Sequence, residues 1–324
     1  MRIDVSRQPS ALIILTFLLL LGISVAVSFK TAPILPPASL MPPGELITGA
    51  IGRKTAIILS ALIICYNAIM LTRIGVRHML YRSKSFLPAA IYATMACSFY
   101  FSGNSLGIYL ASALLVTGSD ILASGLSRYS DFDRCFRGSL VIGCSLLLYA
   151  PMAVIVVAMP FMLAAISRSL REHIVAIVGF VLPTAICSYV YWAIGYDFLY
   201  IGEQLAAGLT MPSTIPPGFF DFLRIIFTSL SVLLLFMSVG TYAAMSNTMR
   251  TRPYRVSMQF VIMLIVLTGG LALPHRSLEM VLVLAAPYSI MAPFYFTRYQ
   301  GRISAGIYIL ILLSSVGLGL TVLL

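Results

Sequence analysis

Acidic residues are scarce in this chain. Its 324 residues hold 10 Asp and Glu against 21 Lys and Arg, and charged side chains make up only 10% of the total. Water-soluble domains carry nearer ~25% charged residues, so this composition excludes a sizeable soluble domain. Histidine is rarer still: His78, His173 and His275 stand far apart with no carboxylates at ligand spacing, which argues against a metal centre. The five cysteines, Cys65, Cys97, Cys135, Cys144 and Cys187, show no paired spacing and imply neither a disulfide framework nor a thiolate site. Nothing in the sequence calls for a cofactor, and no fixed-period repeat or low-complexity tract is visible. Apolar/polar alternation over ten-residue segments is missing too, which excludes a porin-like β-barrel.

What is present is apolar. Hydrophobic residues make up 60% of the chain and its mean hydropathy is +1.00. Continuous runs fall at 11–29, 55–72, 86–101, 106–126, 138–149, 152–167, 174–194, 220–245, 256–273, 279–296 and 303–323. At ~20 residues per crossing they predict an all-α polytopic transmembrane bundle of about eleven spans, with a single integral membrane domain over 1–324. The run at 11–29 is longer than a signal-peptide core and has no small-x-small site before Lys30, so it reads as a retained helix.

The net charge of +11 would suggest nucleic acid in a soluble protein, but in a membrane protein basic residues first report topology. No nucleic-acid partner is therefore expected. Placing the N-terminus in the cytoplasm puts 16 of the 21 basic residues inside, among them Arg73, Arg77, Arg128, Arg134, Arg168, Arg250, Arg252 and Arg298. Four fall outside, Lys30, Arg53, Lys54 and Arg276, and Arg224 lies within a run. The C-terminus then ends at the outer face. This alternation predicts a multi-pass protein of a bacterial inner membrane in contact with membrane lipids.

Loop lengths are uneven. The turns at 102–105 and 150–151 are tight, and the run at 138–149, rising only about 18 Å, is too short for a ~30 Å core. A recessed, outer-facing cavity is expected above it. The outer segments 30–54 and 195–219, by contrast, are long, proline-bearing and partly apolar, and are expected to lie on the membrane surface or fold over the bundle.

Two resemblances attach to the middle of the chain. Arg73, Phe86-Leu87-Pro88, Phe136-Arg137-Gly138, Ile142-Gly143 and the stretches 147–151 and 179–183 resemble an uncharacterised family of integral membrane proteins from Bacteroidota, some of whose members carry the label carotene monooxygenase. The same stretch, with its hairpin, basic inner loops, Gly-rich helix and outer turn at Pro151, is similar to the membrane module of GT-C-type glycosyltransferases. That similarity implies handling or transfer of a polyprenyl-linked sugar at the outer face. It also implies an acidic base in the first outer loop, where Glu45 is the only acid. The chain departs from the GT-C pattern at the following turn, where Gly103, Asn104 and Ser105 stand in place of an acid.

On this reading Glu45 is the candidate base, and Arg53, Lys54, Asp197, Glu203, Asp221 and Arg224 are candidates for holding a polyprenyl-phosphate lipid. Structural readings stand beside these: a solvated loop residue or a helix-start charge after Pro42-Pro43-Gly44 for Glu45, snorkelling for Arg53 and Lys54, and an ion pair with Asp221 three residues earlier for Arg224. The alternatives are a non-catalytic subunit or scaffold with envelope protein partners, or a small-solute transporter, and the sequence leaves open whether the chain is an enzyme. Asp120 bears on the last of these. An uncompensated carboxylate at its depth costs ~2.5–3.5 kcal/mol, so it is either a proton or cation site or a structural acceptor. Asn67 and Asn104 are expected to hydrogen-bond between helices. Tyr189, Tyr191, Trp192, Tyr196, Phe198 and Tyr200 form an interfacial belt or a ligand platform.

Overall fold

Among the residues described by the computed structural model (5, 8–30, 39–81, 85–98, 106–124, 131–210, 222–271 and 279–323), the chain is helical, apart from a lone bridge between Leu40 and Tyr149. In chain order the helices are α1 (Ser10–Lys30), α2 (Pro42–Ala50), α3 (Arg53–Arg77), α4 (Leu87–Ser98), α5 (Leu106–Ser124), α6 (Phe132–Leu146) and α7 (Ile155–Ala165). They continue with α8 (Leu170–Ala193), α9 (Tyr200–Thr210), α10 (Phe222–Ser246), α11 (Thr251–Leu271), α12 (Met280–Met291), α13 (Pro293–Arg298) and α14 (Arg302–Leu323). Eight segments are long and apolar enough to cross a membrane: α1, α3, α5, α8, α10, α11, α14 and the α12–α13 pair. The other three expected runs, 86–101, 138–149 and 152–167, form shorter helices.

Burial orders these helices around a centre. The apolar window of α12–α13 is 89% buried and that of α5 78%, whereas those of α8 and α10 are 22% buried and present most of their surface outward. The twelve-residue α4 is too short to span alone, but nearly every one of its residues is buried by protein. The expected run 138–149 becomes α6, which starts earlier, at Phe132, because Asp133, Arg134 and Arg137 lie on an exposed flank that hydropathy alone does not register as helix. Small residues let α6 approach its neighbours closely: a β-carbon at Gly138 would lie 2.8 Å from Leu122 of α5, and one at Gly143 would collide with the Phe180 carbonyl of α8. The residues carrying the resemblances thus include the crossing points of α5, α6 and α8.

The chain turns back after Leu146 through a 3-10 turn at Ala150–Val154, and the recess above it is filled. Met41 N–H donates to Leu148 O at 3.3 Å, Ala150 N–H donates to Ser39 O at 3.0 Å, and Met41, Ala150 and Ile201 form a buried cluster. The described parts of the two long segments thus include α2 and α9, which pack against the turn after α6. The open cavity expected above 138–149 is replaced by their own apolar side chains.

Pro287 and Pro293 interrupt the α12–α13 segment, and carbonyls near the break find partners elsewhere. The Tyr81 hydroxyl donates to Ile290 O at 2.6 Å and Ser238 Oγ to Ala292 O at 3.3 Å.

Candidate functional site

The site begins where α3 stops. His78, Met79 and Leu80 donate from their backbone N–H groups to Ile74, Val76 and Gly75, and Met79 adopts φ 50°. This is the paired-bond ending usually closed by glycine, here carried by methionine in the left-handed region at some local cost. It turns the chain inward so that Tyr81 packs over Gly75, where an added β-carbon would lie 3.0 Å from the ring. Tyr81 meets Phe294 edge-on at 5.2 Å, and Phe294 meets Tyr242 at 5.5 Å. Burial pushes the Tyr81 phenol well above its ordinary pKa, which keeps it a neutral donor to Ile290.

The same turn places two bases against Asp120. Arg77 Nη1 lies 3.2 Å from Asp120 Oδ2 and His78 Nε2 lies 3.6 Å from Oδ1. The side chain of Asp120 is 9% exposed, that of His78 is fully buried, and that of Arg77 is 43% exposed. At 3.6 Å the His78–Asp120 approach is too long for a hydrogen bond, and Oδ1 and both ring nitrogens have no hydrogen-bond partner among the described residues. Arg73 adds a further positive charge nearby. Asp120 is thus compensated through Oδ2 by Arg77, while Oδ1 faces the His78 ring without a hydrogen bond.

A cavity of about 710 Å³ opens beside this cluster. Arg77 and His78 form one wall and Arg250, just before α11, and Arg252, in its first turn, another; Met79, Leu80, Tyr81, Met245, Met249 and Phe294 supply apolar lining. Among the described residues no carboxylate lines it, and Arg250 and Arg252 are exposed and make no ion pair. The volume falls in the range of small-ligand pockets. Three guanidinium groups over a methionine and aromatic floor suit an anionic group carrying an apolar chain.

A second charged cluster, between α6 and α8, is closed. Glu172 accepts from Asp131 N–H at 2.9 Å, Ser169 N–H at 2.8 Å, Ser169 Oγ at 3.0 Å and Arg168 Nη1 at 3.0 Å, with both ionic side chains 5% exposed. Ser169 and Glu172 form a reciprocal capping box that starts α8. Deeper in the bundle, Asn67 donates to Tyr92 at 2.9 Å, an interhelical bond of the kind expected of it. Asn104 and the rest of the turn at 102–105 lie outside the described residues.

The residues expected to form an outer site are only partly gathered. Glu45 sits exposed in the first turn of α2, within electrostatic reach of Tyr191. Tyr191, Tyr196 and Tyr200 pack together at 4.8–5.5 Å, with exposed Asp197 and Glu203 on the adjoining segment. Arg53 donates to the Ser28 carbonyl at 2.8 Å and so ties the start of α3 to the end of α1; Lys54 beside it is exposed. Arg224 is half-buried on α10, and Asp221, its expected partner, lies outside the described residues. Among the described residues no group of three or more His, Cys, Asp or Glu is placed to hold a metal.

No protein-family model, curated protein or solved structure matches this chain. The sequence singled out Asp120 but not its partners. The available signal was depth: Arg77 and His78 end one run, and Asp120 lies near the corresponding end of another.

Proposed function

We propose that this chain is a multi-pass protein of a bacterial inner membrane that binds an anionic amphiphile, a lipid phosphate with its hydrocarbon chain, in the cavity between Arg77 and the α10–α11 turn. The observation that carries this reading is the cavity's lining: among the described residues, three arginines, no carboxylate and a wall of methionine and aromatic side chains. In the proposed topology the N-terminus is cytoplasmic, the cavity opens at the inner interface, and the α6–α7 hairpin enters from the cytoplasm and returns without a full-length crossing. Contacts between distant segments support it, because 77–81 meets 245–253 and 294–297, whereas 39–41 meets 148–150 and 201, so expected inner segments meet only inner ones. Arginines at that interface face anionic headgroups.

Polyprenyl phosphates belong to the same chemical class, which keeps lipid-linked sugar handling as the biological setting to which the GT-C similarity points. Under that setting Glu45, beside the Tyr191, Tyr196 and Tyr200 cluster, is the residue to test for chemistry at the outer face. The binding reading is tested by purifying the full chain and measuring its affinity for dioctanoyl phosphatidylglycerol and for glycerophosphoglycerol, the same headgroup without chains. The lipid is expected to bind at least about tenfold more tightly, because only it buries hydrocarbon against the apolar wall. Equal binding of the two, or binding unchanged in an Arg250→Ala, Arg252→Ala double variant, would overturn the reading. Mass spectrometry of co-purified lipid distinguishes a phospholipid from a polyprenyl phosphate.

A further inference from the structure

Arg77 belongs to two sites at once. Arg77 lines the cavity, and among the described residues its Nη1 is also the only side-chain hydrogen-bond donor to Asp120, at 3.2 Å. We infer that Asp120 is a built-in substitute for the ligand's anion: the ligand draws Arg77 away from Asp120, and the Asp120–His78 pair then takes up a proton, so that anion binding and protonation are coupled. This inference rests on the cavity being an anionic-amphiphile site.

The argument is one of compensation. Asp120 Oδ2 is held by Arg77, while Oδ1 faces the His78 ring at 3.6 Å without a hydrogen bond. An anion between Arg77, Arg250 and Arg252 competes for the first of these, because Arg77 is the half-exposed member that faces both ways. Asp120, 9% exposed, cannot be left bare at that depth; an uncompensated buried carboxylate is strongly unfavourable. His78 is fully buried, already adjacent, and has two unpartnered ring nitrogens. One proton taken from solvent makes imidazolium and carboxylate a neutral pair and permits the hydrogen bond that the 3.6 Å separation lacks. The proton is assigned to the pair and not to either residue, since groups this close titrate together.

The neighbouring charges leave the pair as the group that responds. Arg73 and Arg77 of α3 and Arg250 and Arg252 across the cavity are cations throughout. Arg134 and Arg137 of α6 are engaged by Asp131 and Asp133. Among the titratable side chains, α12 contributes only Tyr288, which donates to the Ser231 carbonyl at 3.2 Å, and α4 only Tyr92 and Cys97. Tyr81 is held neutral by burial.

The sign follows. The ligand-bound state holds one more proton than the empty one, so affinity rises as pH falls, by up to about tenfold per pH unit while the uptake is complete. The test uses the full chain in a zwitterionic detergent and dioctanoyl phosphatidylglycerol, a phosphodiester that stays ionised across the range. Calorimetric titrations in two buffers of different ionisation heat count the protons, and affinity is followed from about pH 8 to about pH 6, where an imidazole titrates. Uptake approaching one proton per lipid is expected, together with an Asp120→Asn variant that binds at least as tightly as wild type and takes up none. A His78→Gln variant, which keeps the carboxylate, is expected to bind with a flattened pH profile and serves if the first variant does not fold. Binding by the wild type with no proton uptake and a flat profile would overturn the coupling and leave the lipid site standing. Failure of the wild type to bind the lipid at any pH would instead remove the site itself.

Discussion

Glu172 and Asp120 are both nearly buried carboxylates beside arginines, and they are handled in opposite ways. Glu172 accepts four hydrogen bonds from Arg168, Ser169 and Asp131, and its ion pair is sealed, 5% exposed on each side. Asp120 accepts one, from an arginine that is 43% exposed and lines a cavity, and its second oxygen has no hydrogen bond at all. A saturated carboxylate has nothing left to offer a ligand and serves as a clasp between α6 and α8. An unsaturated one, held by a partner that a ligand can also reach, can change its state. The contrast separates a charge that builds the fold from one placed to respond, although the two are equally conspicuous as ionisable residues among apolar helices.

The largest effect expected from this contrast is at the closed cluster. Glu172→Ala leaves Arg168 buried and strips two backbone N–H groups of their acceptor, and the expected loss is about 3–5 kcal/mol, read as a lowered unfolding midpoint of the full chain in detergent. Asp120→Asn keeps shape and an acceptor for Arg77, and is expected to cost less than about 1 kcal/mol while changing how lipid binding responds to pH. Equal destabilisation by the two variants would erase the distinction between clasp and switch. Tyr81→Phe falls between them. The hydroxyl is the partner that Tyr81 supplies to the Ile290 carbonyl beside the proline break, and its removal is expected to cost about 1–3 kcal/mol. The same thermal scan gives this value, and a smaller loss would mean that water reaches the carbonyl from the cavity.

Salt sharpens the comparison without any mutation. The cavity arginines face solvent, so lipid affinity is expected to fall several-fold between about 0.05 and 0.5 M salt, whereas the buried Arg168–Glu172 pair is screened little and the unfolding midpoint should hold nearly steady. Affinity that ignored salt would mean that the cavity recognises hydrocarbon and not charge.

How much of this was legible beforehand depends on the range of the interaction concerned. The long apolar runs translate directly into α1, α3, α5, α8, α10, α11 and α14, because a continuous apolar run of that length marks a helix without reference to any partner. Hydropathy misleads where polar residues or prolines fall inside a helical segment: α6 begins six residues before the expected 138 because its first turns are amphipathic, and α12–α13 is broken by Pro287 and Pro293 within one expected run. α2 was readable in principle. Two prolines open it and Glu45 follows in its first turn, a pattern that starts helices, but the length of the segment drew attention to a loop. At the site, Asp120 stood out by its depth. Its partnership with Arg77 and His78 was hidden because all three belong to different arguments in the sequence, one about burial and two about topology. The filled recess above α6 was hidden for a related reason: its contents, Met41 and Ile201, come from the two segments least constrained by hydropathy.

The smallest expected effect is at α2, away from the cavity, and it is the one that separates the two ends of the molecule. Glu45 is exposed, in the first turn of α2, where a carboxylate favours the helix dipole and makes no ion pair among the described residues. Glu45→Gln keeps volume and hydrogen bonding and removes only the charge, so the unfolding midpoint should move by less than about 0.5 kcal/mol equivalent. Lipid affinity at the inner cavity should be unchanged, since α2 packs on Leu148 and α5 and contributes nothing to the cavity wall. If the outer face carries chemistry on a lipid-linked sugar, the same variant abolishes transfer while leaving both of those readouts intact, and loss of transfer alone identifies Glu45 as the base. A change in inner-cavity affinity would show instead that the plug formed by α2 and α9 communicates through α5 with Asp120, nearer that helix's opposite end, and that the two ends form one site and not two.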